Sequence, residues 1–243
     1  MYWEGVNMDN DNNLIKNSIS GKLIVIDGTD GSGKHTQSDL LITRLKSLGH
    51  NAVYFDFPRH GHPHASLVDD YLNGKFGSAM EVGAYKASIL YAVDRFGSSF
   101  DIRKVLNEGG VAVCDRYVSA NMGHQAGKIH DLVERDKYLE WLLDLEFGKL
   151  GIPRPDMNML LYVPTVINQE LVDKKEKRDY IGDKKRDIHE NDARHLDDAA
   201  SAFLYCAKKY NWSTIYCAPN GVILSREETH DMVWKEVSSK FKI

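Results

Sequence analysis

Apolar residues recur along this chain in two rhythms: short unbroken runs, and longer stretches spaced three and four apart. The first run is Leu23-Ile24-Val25-Ile26, closed by Asp27. After a glycine-rich turn, Leu40, Leu41, Leu45 and Leu48 recur at a spacing that predicts a helix. Asn51 to Phe57 predicts a second strand, with Val53, Tyr54, Phe55 and Phe57. A short helix is expected from His64 to Asn73, closed by Gly74, and a long one from Val82 to Leu106, ended by Gly109-Gly110. Val111-Ala112-Val113-Cys114 reads as a third, buried strand, ending at Asp115-Arg116-Tyr117. From Asp131 to Leu150, Leu132, Leu139, Trp141, Leu142 and Leu145 predict an amphipathic helix serving the core or a subunit interface. A rigid turn, Gly151-Ile152-Pro153-Arg154-Pro155-Asp156, leads into a fourth strand from Met157 to Val163. Pro164 then opens a helix running toward Asp173. Asn191 to Tyr210 is a further amphipathic helix, Ser213 to Ala218 a fifth strand, and Ser225 to Phe241 the closing helix. Strands alternate with helices, so the expected architecture is α/β: a five-stranded, largely parallel sheet covered by helices on both faces.

Two stretches carry no such rhythm. Met1 to Ser20 is polar, rich in Asn and Asp, with neither a basic start nor an apolar centre. It reads as a flexible leader rather than a signal peptide, leaving residues 21–243 as one domain. Asp173 to His189 is the most charged segment, with Lys174, Lys175, Lys177, Arg178, Lys184, Lys185 and Arg186 set against five acids. Tyr180-Ile181-Gly182 interrupts it, as a hinged basic lid over residues 173–189 would require, although a charge run also suits a solvated face.

Composition narrows the class. A chain of 243 residues can bury one sizeable core. A net charge of −4 and a pI near 6.2 point away from nucleic acid as a partner. No apolar run approaches the roughly 20 residues needed to span a bilayer, so no membrane role is expected. Cys114, Cys206 and Cys217 each lie in or beside an apolar segment, which suits buried free thiols in a reducing compartment such as the cytoplasm.

The chemistry concentrates in Gly28-Thr29-Asp30-Gly31-Ser32-Gly33-Lys34-His35-Thr36, set between a strand and a helix. Glycines there let several backbone N–H groups converge on a phosphate, the following helix adds its positive end, and Lys34 reaches the outer phosphates. His35 stands where this pattern normally carries a hydroxyl for Mg²⁺, and imidazole is a poor ligand for that hard ion. Asp115, at a strand end, is the expected group for orienting Mg²⁺ or its water, with Arg116 beside it to neutralise phosphate charge. Arg59, fixed by Pro58 past another strand end, could hold a phosphate bidentately. Ala84, Ser88, Tyr91 and Arg95 share a helix face, where small residues beneath Tyr91 and Arg95 could form a slot for a flat base. Asn121 and Gln125, four apart, offer paired amide donors and acceptors. His60, His62 and His64 read as a loop beside a site before they read as metal ligands.

Taken in order, these markers resemble the thymidylate kinase family of P-loop nucleoside monophosphate kinases. The resemblance rests on the phosphate loop followed by Thr36-Gln37, Phe57-Pro58-Arg59, Tyr91 four before Arg95, Asp115-Arg116-Tyr117, Pro155-Asp156 before a strand, and the basic segment. It spans roughly Lys22 to Phe241, and implies a three-layer P-loop fold with a mobile basic lid and ATP-dependent phosphorylation of dTMP to dTDP. It further implies that Gly28, Gly31, Ser32, Gly33, Lys34, His35 and Thr36 bind ATP, with Mg²⁺ as cofactor. Phe57, Arg59, Tyr91, Arg95, Arg116, Asn121, His124 and Gln125 would hold the acceptor. Asp30 would contact the acceptor sugar or an arginine on its phosphate, and Lys34, Asp30, Arg116 and Arg186 would be the catalytic set. A cytoplasmic homodimer is the family expectation. Two other readings remain open on the residues. A deoxynucleoside kinase, or a kinase for another deoxynucleoside monophosphate, would use similar parts; the former needs a carboxylate base, for which Asp56 is the candidate. A non-catalytic nucleotide-binding protein would draw its support from His35.

Overall fold

The structure is a computed structural model that describes residues 21–29, 31–167 and 193–243. Asp30, residues 1–20 and the basic segment at 173–189, with Arg186, lie outside the described residues. Five strands form one parallel sheet: β1 (Lys22–Gly28), β2 (Ala52–Asp56), β3 (Val111–Asp115), β4 (Met157–Tyr162) and β5 (Ser213–Tyr216). Their order across the sheet is β2-β3-β1-β4-β5. β1 pairs with β3 from Lys22 opposite Val111 to Ile26 opposite Asp115, and with β4 from Ile24 opposite Met157 to Gly28 opposite Leu161. The unbroken apolar run of β1 is explained by burial on both faces. Leu23 and Val25 point into one core, and Ile24 and Ile26 into the other.

Helix α1 (Lys34–Ser47) covers the second face with Leu41, Ile42 and Leu45, joined by Val233 and Val237 of the closing helix, α7 (Arg226–Phe241). The first face is covered by α3 (Ala79–Asn107), α4 (Val118–His124), α5 (Leu132–Leu143) and α6 (Ala193–Lys209). A short α2 (Ser66–Leu72) packs Val68, Tyr71 and Leu72 against the start of α3. Capping boxes at Ser78 with Glu81 and at Ser225 with Glu228 fix where α3 and α7 begin. The long helix expected from Val82 begins earlier and kinks at Gly83, whose φ is 76°. The stretch expected as one helix from Asp131 to Leu150 changes pitch. α5 gives way to a π-helical turn over Asp144–Lys149, with the Leu150 N–H donating to the Leu145 carbonyl at 2.9 Å. Residues 118–128, which carry Asn121, His124 and Gln125, fold as α4 and a 3₁₀ turn, Ala126–Lys128.

This strand order decides where the site lies. The chain leaves β1 for one side of the sheet and later for the other, so a crevice opens beyond the carboxyl ends of β1, β2 and β3.

Candidate active site

The loop after β1 sits at that crevice because its backbone can turn tightly. A Cβ on Gly28 would lie 2.3 Å from the Leu161 carbonyl of β4, so only glycine lets β1 pass that close. Gly33 caps α1 with a φ of 84°, a left-handed conformation that aims the first N–H groups of the helix at the crevice. Lys34 is buried, and its ammonium donates to the Thr29 carbonyl at 2.8 Å.

A cavity of about 740 Å³ opens above this loop. Gly31, Ser32, Gly33, Lys34, His35 and Thr36 line one end. The same cavity is lined by Tyr91 and Arg95 from α3, by Asn121, His124 and Gln125 around α4, and by Phe57. Asp115 and Arg116 also line it. So residues scattered from 31 to 125 are brought to one space. Gly28 lies beneath the loop, outside the lining.

Arg116 is held in place by several groups. Its φ of 68° is unusual for a residue with a side chain, and its N–H donates to the Ile26 carbonyl at 2.9 Å. Its guanidinium donates to His124 Nε2 at 2.8 Å, which requires the proton of the neutral ring to sit on Nδ1. Asp27 lies 4.0 Å from the same guanidinium. That carboxylate accepts from the Gly28 N–H at 2.8 Å and the Ser119 hydroxyl at 2.7 Å. Burial raises the Asp27 pKa, opposed by Arg116 and Lys34. Asp27 closes the apolar run of β1 and carries no motif, so its role as an anchor for Arg116 was not visible in the sequence.

His35 lines the cavity, with its ring held by neighbouring side chains and its Nδ1 3.9 Å from Asp115. Its Nδ1 is 2.9 Å from the Tyr54 hydroxyl and its Nε2 is 3.3 Å from Asp39. Tyr54 donates in turn to Asp115 at 3.4 Å, and burial followed by Asp115 pushes its own pKa up. Tyr54 had looked like an ordinary strand residue.

Arg95 is fully buried, and it is paired with Glu146 of the π-helical turn. Its Nε donates to both carboxylate oxygens at 3.1 and 2.8 Å. One terminal nitrogen donates again to Glu146, and the other donates to the Tyr117 carbonyl at 3.3 Å. Burial pulls the Arg95 pKa down, but attraction and hydrogen bonding to Glu146 more than offset it, and the net direction is up. Glu146 was missed in the sequence. The available signal was an acid four residues after Leu142 and eight after Tyr138, on the apolar face of the helix.

Arg59, expected to hold the acceptor phosphate, is not among the residues that line the cavity. Its backbone N–H is anchored by Asp94 at 3.0 Å, but its guanidinium lies 3.8 Å from Asp101 and over the Phe55 ring. The exposed Asp101 carboxylate and the aromatic face account for that position. Phe57, Pro58 and His60, its chain neighbours, do line the cavity. Among the described residues, no group of three or more His, Cys, Asp or Glu side chains is arranged to hold a metal.

The family model described as thymidylate kinase matches residues 26–206. A thymidylate kinase of Mycobacterium tuberculosis is 31% identical over 172 residues, which cover 70% of this chain and 78% of that protein. The human thymidylate kinase is 28% identical over 141 residues, covering 58% of this chain and 60% of its own. Among solved structures, a thymidylate kinase from Candida albicans aligns over 90% of this chain and 92% of its own, with a TM-score of 0.68 and 21% identity. That structural likeness supports the fold, while the sequence matches carry the family.

Proposed function

This chain belongs to the thymidylate kinase family, and from that premise we propose that it transfers the γ-phosphoryl group of ATP to dTMP, giving ADP and dTDP. The observation that carries this reading is one cavity lined both by the phosphate loop and by Tyr91, Arg95, Asn121 and Gln125. Two phosphorylated substrates can therefore meet in one space that Arg116 also lines. Catalysis of this transfer is mainly positioning and charge stabilisation, so the residues that matter are those that hold the two nucleotides in line.

Lys34 and the loop amides bind the ATP phosphates. Arg116, steadied by Asp27 and His124, holds the acceptor phosphate and offsets charge as it moves between the nucleotides. Tyr91 stacks on the base, while Arg95, Asn121 and Gln125 read its edge. Asp115 supplies a hard oxygen donor beside the loop, and Mg²⁺ characteristically binds through one or two carboxylates plus substrate phosphates. The donor set thus fits Mg²⁺ with Asp115 as its anchor and His35 engaged by Tyr54 and Asp39 instead. When bound, the ion would neutralise phosphate charge.

Two coarser features complete the reading. Tyr85, Ile89, Val93, Phe96 and Phe100 form an exposed apolar stripe along α3 at spacings of four, four, three and four, and this supports a homodimer. No helix of the described residues is long and apolar enough to cross a membrane. The three buried, unpaired thiols support a reducing location, the cytoplasm.

The test is ADP release with ATP and Mg²⁺ against dTMP, dUMP, dCMP, dGMP, UMP and thymidine. Turnover should be highest with dTMP. Turnover with thymidine but not dTMP would transfer the protein to the nucleoside kinases, with Asp56 as the base to test.

A further inference from the structure

We infer that Glu146 is a positioning residue that presents Arg95 to the acceptor base as a fixed donor, and so decides which base the site accepts. The inference rests on the proposed use of Arg95 at the base end of the cavity. A guanidinium carries five N–H donors and no acceptor. Glu146 takes the Nε edge and one N–H of a terminal nitrogen, and the Tyr117 carbonyl takes one N–H of the other. One N–H on each terminal nitrogen is left for the cavity that Arg95 lines.

Such a group complements a carbonyl oxygen and opposes an exocyclic amine, because N–H would then face N–H. A pyrimidine with a carbonyl at its C4 edge fits it, whereas cytosine carries an amine there. Discrimination arises from a buried donor that the wrong base leaves unpaired. Without Glu146 the guanidinium would be a buried charge lacking its carboxylate, with freedom to turn its donors inward.

The surrounding elements fit this role better than a purely structural one. Glu146 is fully buried, following a helix whose buried side chains are Arg135, Tyr138, Leu139 and Leu142. It sits in the π-helical turn that breaks the pitch after α5, a form often found at functional sites. The same helix also braces a neighbouring base-end residue, since the Tyr138 hydroxyl bonds Ser88 at 2.7 Å and donates to the Asn121 carbonyl at 3.3 Å.

The experiment compares the wild-type chain with Glu146→Gln, Glu146→Asp, Arg95→Met and the double variant Arg95→Met/Glu146→Gln, using dTMP and dCMP as acceptors. Glu146→Gln should raise KM for dTMP about tenfold, leave KM for ATP within about twofold, and raise the dCMP-to-dTMP ratio of kcat/KM about tenfold. Glu146→Asp should recover part of the discrimination. In the Arg95→Met background, Glu146→Gln should add less than about twofold, because its effect passes through Arg95. A Glu146→Gln change that raises both KM values together, leaves the ratio unmoved, or costs as much without Arg95 would overturn the inference. Should Glu146→Gln not fold, Arg95→Met/Glu146→Leu removes both charges at once. It should fold and match the base ratio of Arg95→Met alone, and a different ratio would overturn the inference. Wild-type turnover of dTMP tests the proposed function separately, since it does not depend on Glu146.

Discussion

Arg59 shows how one side chain can be anchored by its backbone and still have two places to go. Asp94 fixes its N–H, Asp101 and Phe55 hold its guanidinium outside, and its neighbours on both sides line the cavity. A rotation of the side chain is what its charge would need to reach the cavity that Pro58 and His60 line. A charge-assisted hydrogen bond is worth about 1.5–3 kcal/mol, so Arg59→Ala should raise KM for dTMP by about tenfold or more with little change for ATP. Asp101→Ala, which releases the guanidinium, should lower KM for dTMP. Steady-state kinetics with each substrate varied in turn would check both, and equal effects on the two nucleotides would leave Arg59 outside. Lys128 offers a second residue-scale prediction. Burial lowers its pKa to about 8, while its ammonium donates to the Tyr71 hydroxyl and the Ala79 carbonyl at 3.1 Å each. Its folded value lies below its unfolded value, so the unfolded chain binds the extra proton between about pH 8 and 10.5, and stability from this group rises with pH across that window. The melting temperature of Lys128→Met, measured from pH 7 to 10, should therefore gain less on going alkaline than that of the wild type.

At the scale of elements, the phosphate loop depends on how closely β1 approaches β4. Gly28→Ala would place a methyl 2.3 Å from the Leu161 carbonyl, and neither strand can move without disturbing the centre of the sheet. Overpacking of this kind costs about 1–3 kcal/mol, and the loop should shift with the strand. Urea denaturation should show the lost stability, and calorimetry should show weakened ATP binding. Such elements were legible because burial on two faces writes continuous apolar runs, as in Leu23-Ile24-Val25-Ile26, and the glycines of the loop have few other uses. The partner groups were not. Asp27 and Tyr54 act through contacts across the sheet, and Glu146 reaches Arg95 from 51 positions away, so no local spacing announces them. The side-chain position of Arg59 depends on Asp101, which α3 brings to it from a distant part of the sequence.

At the scale of the whole molecule, α3 serves two faces. Ala84, Ser88, Tyr91 and Arg95 turn toward the site or the core, and on the adjacent face Tyr85, Ile89, Val93, Phe96 and Phe100 are from 39% to 63% exposed. The rings of Phe96 and Phe100 already pack edge to face, 5.5 Å apart, so the stripe is an ordered surface and not a set of isolated side chains. Contiguous apolar surface on one helix favours pairing with its own copy, where a two-fold axis lets the same stripe cover itself. The 27.6 kDa chain should therefore run in light scattering at about 55 kDa, twice the chain mass as a two-fold dimer requires. Replacing Ile89 and Phe96 together by Glu should give the monomer. Because Tyr91 and Arg95 lie between those positions on the same helix, loss of the dimer should also raise KM for dTMP while leaving ATP binding intact. A wild-type chain that is monomeric at micromolar concentration would remove the stripe from any role in pairing, and would leave α3 to be explained by the site alone.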